Sequence, residues 1–154
     1  ESINWSVIFL ISALIPIGIA IDNTGTDVLI GDFIVYLGNL FNNGIDQDPH
    51  IYLAILYIST VVFSAFISNN AIAIIMTPIA IALATNLDIN PRPFMVAVCF
   101  GASNCFMTPI GYQTNLMVYG PGQYRFSDFL KAGLPLTIIF WLIAIYYIPI
   151  FWPF

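Results

Sequence analysis

Charge is what this sequence has least of. Asp, Glu, Lys and Arg together make up 7% of the 154 residues, where a soluble domain carries about a quarter because its surface must face water. Lipid is the solvent that removes this requirement. Positive charge is scarcest: Arg92, Arg125 and Lys131 are the basic residues, and the net charge is −5. So few cations cannot neutralise a phosphate backbone, which excludes nucleic acid as a partner. Cysteine is limited to Cys99 and Cys105. They lie almost on opposite helix faces of one apolar segment, so neither a local disulfide nor a metal pair follows, and both read as lipid-facing or packing groups. No nucleophile–base pair or metal cluster stands out, so an enzyme is not expected. The first segment lacks a basic n-region and a small-residue cleavage site and does not read as a signal peptide. Beginning at Glu1, the chain reads as a piece of something longer.

Apolar residues supply what is there. They make up 60% of the chain, and the mean hydropathy is +0.93. Ile51 to Leu87 and Ala132 to Phe154 contain no charged residue, and ~18 or more such residues in a row mark a transmembrane candidate. The pattern predicts one all-α, multi-pass membrane domain over residues 1–154, placed in the cell membrane with lipid as its surroundings.

Five apolar blocks organise it. The first, Ile3 to Ile21, contains Pro16 and Gly18, and a polar stretch from Asp22 to Asp27 follows. The second, Val28 to Phe41, carries Gly31, Asp32 and Gly38. Asp22, Asp27 and Asp32 read as loop or interface carboxylates, with Asp32 alone inside an apolar block. The acidic loop Asn42 to His50 has Asn-Gly and Asp-Pro turn signals and reads as solvated, His50 included.

The third block, Ile51 to Ala84, would be about 50 Å long as a single helix, against a hydrocarbon core of ~30 Å. The break belongs at Ser68-Asn69-Asn70, where polar residues cluster. It leaves two halves of about 24 Å each. The prediction is a re-entrant helical hairpin over about 51–86 whose tip lies within the membrane, where non-helical backbone must be buried in protein or line a cavity. Thr77-Pro78 reads as a kink in its second half. The loop Asn86 to Pro93 follows.

The fourth block, Phe94 to Met107, is also short and runs into Thr108-Pro109-Ile110-Gly111-Tyr112-Gln113-Thr114-Asn115. Proline and glycine among polar residues should unwind a helix, so a broken helix is expected over about 94–119, ended by Gly120-Pro121-Gly122. Arg125 to Lys131 reads as interfacial. The last helix, about 129–153, crosses to the C-terminus with Trp141, Tyr146, Tyr147 and Trp152 as interface anchors.

A helix interrupted in the membrane leaves free N–H groups at the start of one half and free carbonyls at the end of the other. The N-terminal end favours anions, the carbonyl end cations, and transporters place substrate and ion at such midplane breaks. Ser68, Asn69, Asn70, Thr108, Gln113, Thr114 and Asn115 add neutral hydrogen-bonding groups. With no Lys or Arg at membrane depth, an anion would be held by dipoles and amides, and a co-bound cation would offset its charge. A plain surface turn between two short spans fits Ser-Asn-Asn equally well, since Ser and Asn also serve helix packing. The second polar run favours the site.

The motif Ser68-Asn69-Asn70-Ala71 with Met76-Thr77-Pro78-Ile79-Ala80 resembles the Ser-Asn-Thr hairpin signature of the divalent-anion:sodium symporter (DASS) family. Thr108 to Leu116, continuing through Tyr119-Gly120-Pro121-Gly122, Tyr124 and Phe126-Ser127-Asp128-Phe129, is similar to the signature that follows it. The ending Lys131-Ala132-Gly133-Leu134-Pro135-Leu136 also fits, closest to the bacterial permease branch. The resemblance implies two inverted repeats, each with a hairpin tip and a broken helix, of which this chain holds the C-terminal one. It implies an elevator-like transport domain on a dimerising scaffold, hence a homodimer. It also implies sodium-coupled symport of a small divalent anion, with sodium as the coupling ion and no other cofactor. Carried onto this sequence, Ser68, Asn69, Asn70, Thr114 and Asn115 would contact the substrate, and Ser68, Asn69, Thr108, Gly111 and Asn115 the sodium.

Asn70 stands where the family has Thr, so sulfate and dicarboxylate are both open as substrates. The first repeat is missing, so transport would need it. With the C-terminus outside, as in the family, Arg125 and Lys131 fall inside, in line with the positive-inside tendency. Two rivals remain. A proton-coupled antiporter or arsenite-type permease of the same superfamily would carry a membrane-depth Asp at a break, and neither break has one. A non-transporting membrane scaffold would show no ion-dependent change in the hairpin.

Overall fold

The structure, a computed structural model, describes residues 23–41 and 48–154, together with Ser12, Pro16 and Ala20. Apart from those three positions, the expected first block, Ile3 to Ile21, lies outside the described residues, as do Asp22 and residues 42–47 of the acidic loop. The described residues form helices and connecting turns, with no strand among them. We number the helices α1 (Thr26–Phe41), α2 (Pro49–Ser64), α3 (Asn69–Asn86), α4 (Arg92–Ser103), α5 (Gln113–Tyr119) and α6 (Phe126–Phe151).

The bundle forms because apolar residues recur at helical spacing on facing stripes. Tyr52, Leu53, Leu56, Tyr57 and Val61 of α2 meet Ile72, Met76, Ile79, Ala80, Leu83 and Ala84 of α3, and Phe94, Ala97, Val98 and Ala102 of α4. Ile34 of α1 and Ala144 and Ile148 of α6 close the cluster. In lipid, burial of apolar area between helices gives little, and close approach of backbones through small residues takes over. Gly101 serves that role: a Cβ there would sit 3.1 Å from the Thr60 Cβ and 3.2 Å from the Tyr57 carbonyl. α4 therefore crosses α2 so closely that a side chain at this position would require Thr60 or the Tyr57 carbonyl to give by a few tenths of an ångström.

Polar side chains within the helices are satisfied locally. Thr60 donates to the Leu56 carbonyl at 2.8 Å, Thr77 to Ala73 at 2.6 Å, Thr85 to Ile81 at 2.9 Å and Ser103 to Cys99 at 2.9 Å. Back-bonding four residues along keeps hydroxyls paired without water. Thr77 stands just before Pro78, which is accommodated inside one continuous helix, Asn69–Asn86.

α3 and α6 are long and apolar enough to cross a membrane, by length and composition. At 26 residues, α6 extends about 39 Å, enough to span ~30 Å of hydrocarbon with tilt. α2, at 16 residues, has the length of the roughly 24 Å halves expected, and α3, at 18, is slightly longer. α2 ends at Ser64, before the polar cluster.

At one end of the bundle, Asp48 caps α2 ahead of Pro49, accepting from the His50 N–H at 3.0 Å and meeting the His50 Nδ1 at 2.8 Å. The backbone N–H of His50 holds the Asp48 carboxyl below its usual range, against a smaller opposing effect of burial. His50, expected simply to be solvated, is exposed but packs edge-on against Phe154, 5.0 Å between centroids. Asn90 donates to the Pro153 carbonyl at 3.3 Å, tying the α3–α4 loop to the same end.

Candidate functional site at two interrupted helices

The first interruption is the turn Ala65–Ser68. The helix unwinds after Ser64, and the Phe66 and Ile67 N–H groups fold back onto the Phe63 carbonyl at 3.1 and 3.0 Å. Ser68 then caps α3, its Oγ accepting from Ala71 N–H at 3.4 Å. Asn69 and Asn70 occupy the first turn of α3, not the unwound segment. Serine wins the cap because its oxygen reaches a free N–H that an alanine would leave bare. Among the described residues, the Asn69 and Asn70 N–H groups meet no protein acceptor, as expected for a helix start.

The second interruption runs from Asn104 to Tyr112. It begins before Met107, where the fourth block was expected to end: α4 stops at Ser103, and Asn104 leaves helical geometry at φ −85°, ψ 65°. Gln113, Thr114 and Asn115, expected in the unwound run, instead form the first turn of α5. The loop closes on itself through Asn115, whose Nδ2 donates to the carbonyls of Cys105 at 2.8 Å and Thr108 at 3.2 Å.

The two interruptions pack face to face. Thr108 Oγ1 donates to the Ala65 carbonyl at 2.5 Å and accepts from the Gly111 N–H at 3.2 Å. Gly111 lies so close to the first turn that a Cβ would sit 2.6 Å from the Ser64 carbonyl oxygen. Ser64 Oγ donates to the Ala102 carbonyl at 2.7 Å and lies 2.8 Å from Cys105 Sγ. The carbonyl ends of α2 and α4 thus meet in one patch, where the Ala65 and Ala102 oxygens accept from Thr108 and Ser64 and those of Cys105 and Thr108 accept from Asn115.

Of the residues expected in a site, Thr108 and Gly111 are buried, Asn69 and Asn115 half-buried, and Ser68, Asn70 and Thr114 exposed. The structure brings Thr108 and Gly111 onto the first turn. It forms no hydrogen bond between Ser68, Asn69 or Asn70 and Thr114 or Asn115 among the described residues. Sequence reasoning passed over Asn104, Tyr57 and Thr137, which are all buried here, and read Cys105, also buried, as a lipid-facing or packing group. The available signal was Asn104 itself, an amide with no apparent use in an apolar stretch.

A 460 Å³ cavity opens between α5 and α6 beside Asn115, lined among others by Phe106, Val118, Phe129 and Leu136. Apart from Asn115 the lining is chiefly apolar, and Asp128 stands at it, so it is unsuited to a dianion. Polar side chains cluster instead at Ser68 to Asn70.

Apolar helices, two of them long enough to cross a membrane, with two polar interruptions locked together, are the build of a membrane protein. The citrate transporter family model matches residues 1–73 and 45–153, and the chain belongs to that family. It is 46% identical over 138 residues, 90% of its length, to an uncharacterized transporter of Synechocystis sp.. It is 35% identical over 146 residues (94% of its length) to sodium/sulfate cotransporter 2 of Chlamydomonas reinhardtii. It is 31% identical over 134 residues (87%) to sodium-dependent low-affinity dicarboxylate transporter 1 of Caenorhabditis elegans. The aligned segment covers 22%, 16% and 22% of these relatives in turn, so the chain spans about a fifth of their length.

Proposed function

We propose that this chain is the C-terminal repeat of a sodium-coupled symporter for a small divalent anion, sulfate or a dicarboxylate. The observation that carries the reading is the junction of the two interruptions, Thr108 on Ala65 and Gly111 on Ser64. The relatives' names, which include sodium/sulfate and sodium-dependent dicarboxylate transporters, support the choice of ion and substrate class.

In this reading α2 and α3 are a re-entrant hairpin and α4 and α5 the halves of a broken helix. Sodium is co-substrate, held at the carbonyl patch by neutral oxygens around Ser68, Asn69, Thr108, Gly111 and Asn115. The anion sits at the start of α3 on Ser68, Asn69 and Asn70, with Thr114 and Asn115 opposite. The helix N-terminus favours it, and the missing repeat completes its other side. Sodium ~4 Å from one anionic charge contributes about 4 kcal/mol at an effective dielectric of 20, some three orders of magnitude in affinity. Without a basic residue at this depth, that attraction makes anion binding depend on the ion. The loaded domain then moves as an elevator against a dimeric scaffold.

Asn69→Ala in the reconstituted full-length transporter tests the assignment. Uptake is expected to disappear while the protein remains folded and membrane-inserted. Unchanged uptake would place the site elsewhere.

A further inference from the structure

Asn104, Tyr57 and Thr137 form a hydrogen-bonded group in the bundle interior, each at most 3% exposed. Asn104 Nδ2 donates to the Tyr57 hydroxyl at 3.2 Å, and Thr137 Oγ1 donates to Asn104 Oδ1 at 3.2 Å. One amide therefore bridges α2 and α6 from the residue at which α4 ends. Hydrogen bonding across helices is favoured at this depth because water is not there to replace it.

The location gives the group its consequence. Asn104 is the root of the loop that carries Thr108 and Gly111. Its neighbour Cys105 supplies the carbonyl that Asn115 grips at 2.8 Å, and its Sγ touches Ser64. A second tie holds α6 to the same loop: Gly133 lies against the Phe106 carbonyl, and a Cβ there would come within 2.8 Å of the Met107 nitrogen. A third, Trp141 Nε1 to the Ala54 carbonyl at 3.1 Å, fixes α6 on α2. Gly133, Thr137 and Trp141 follow at four-residue spacing, one stripe of α6. Among the described residues, Asn104 alone hydrogen-bonds from this loop to both α2 and α6.

We propose that Asn104 is a positioning residue: its amide fixes the root of the second interruption relative to α2 and α6, and so sets where Thr108 and Gly111 meet the first turn. It does not touch ion or anion. Its effect on sodium rests on the proposed symport function; its effect on loop position does not.

The test uses the full-length protein with Cys99→Ala, and two readouts. The first is the rate at which a membrane-permeant maleimide modifies Cys105, read by peptide mass spectrometry. Cys105 is buried against Ser64, so labelling should be slow in the parent. It should rise in Asn104→Ala, and by roughly 2- to 10-fold in Tyr57→Phe or Thr137→Val, the range one neutral hydrogen bond allows. Thr137→Ser should restore the parent rate. The second is the sodium dependence of uptake. The half-saturating sodium concentration should rise by a similar factor in Tyr57→Phe and Thr137→Val, with the maximal rate changed less. Unchanged labelling in all variants would overturn the proposal whatever transport does. Raised labelling with unchanged half-saturation would reduce Asn104 to a packing role and overturn it as well. Should the parent show no sodium dependence, the symport function fails, while labelling still decides the loop-fixing role.

Discussion

Gly111→Ala is the sharpest local perturbation of the junction. The added Cβ would sit 2.6 Å from the Ser64 carbonyl oxygen and 3.3 Å from the Ala65 Cα and carbonyl oxygen. These are backbone atoms and cannot rotate aside. Reaching an ordinary carbon–oxygen contact requires the two turns to separate by about 0.7 Å, and overpacking of this kind costs about 1–3 kcal/mol. That displacement also stretches the 2.5 Å bond from Thr108 to Ala65, adding about 1 kcal/mol. The expected loss is thus about 2–4 kcal/mol. Gly31→Ala is the control: nothing lies within 4 Å of a Cβ there, and Ala gains up to about 1 kcal/mol over Gly inside a helix. Thermal unfolding of the full-length protein in detergent should show a lower midpoint for Gly111→Ala and an equal or higher one for Gly31→Ala. If Gly111→Ala matched the parent in midpoint and in sodium half-saturation, the face-to-face packing of the two turns would be refuted.

The same reasoning extends to two other positions. Thr108→Val keeps the shape but leaves the Ala65 carbonyl and Gly111 N–H unpaired, which should lower stability by about 1–3 kcal/mol in chemical or thermal melts; Thr108→Ser should stay near the parent. Asp48→Ala removes the cap of α2 and should cost about 0.5–2 kcal/mol at neutral pH. Because the folded Asp48 carboxyl lies below its ordinary 3.8, its stabilisation is full above that value and disappears as pH falls through the lowered one. Melting midpoints of parent and variant should therefore converge only in acid; a gap that persisted unchanged there would show that the carboxylate charge is not what caps the helix.

The sequence made the two interruptions legible because polar residues cluster there against an apolar background. It misplaced their edges for physical reasons. In the first, the non-helical residues are Ala65, Phe66, Ile67 and Ser68, of which the first three are apolar groups that give no local signal, while the conspicuous Asn69 and Asn70 are helical because Ser68 caps them. In the second, Pro109 and Gly111 drew attention to the middle of the loop, but the helix ends earlier, at Asn104. That residue leaves the helix with its amide engaged by Tyr57 and Thr137, 47 and 33 positions away. Such partners come from tertiary packing, which a local pattern does not record. The apolar blocks behind α2, α3 and α4 were readable, yet which small residue lies at a close crossing, Gly101 or Gly133, emerged only from the packed bundle.

The central claim is that the joined interruptions serve a sodium-linked anion site. Its most direct test is uptake of labelled sulfate and succinate by the full-length protein in proteoliposomes, with an inward sodium gradient compared with an equal potassium gradient. The account predicts concentrative uptake of at least one anion with sodium and none with potassium. Equal uptake under both gradients would contradict it.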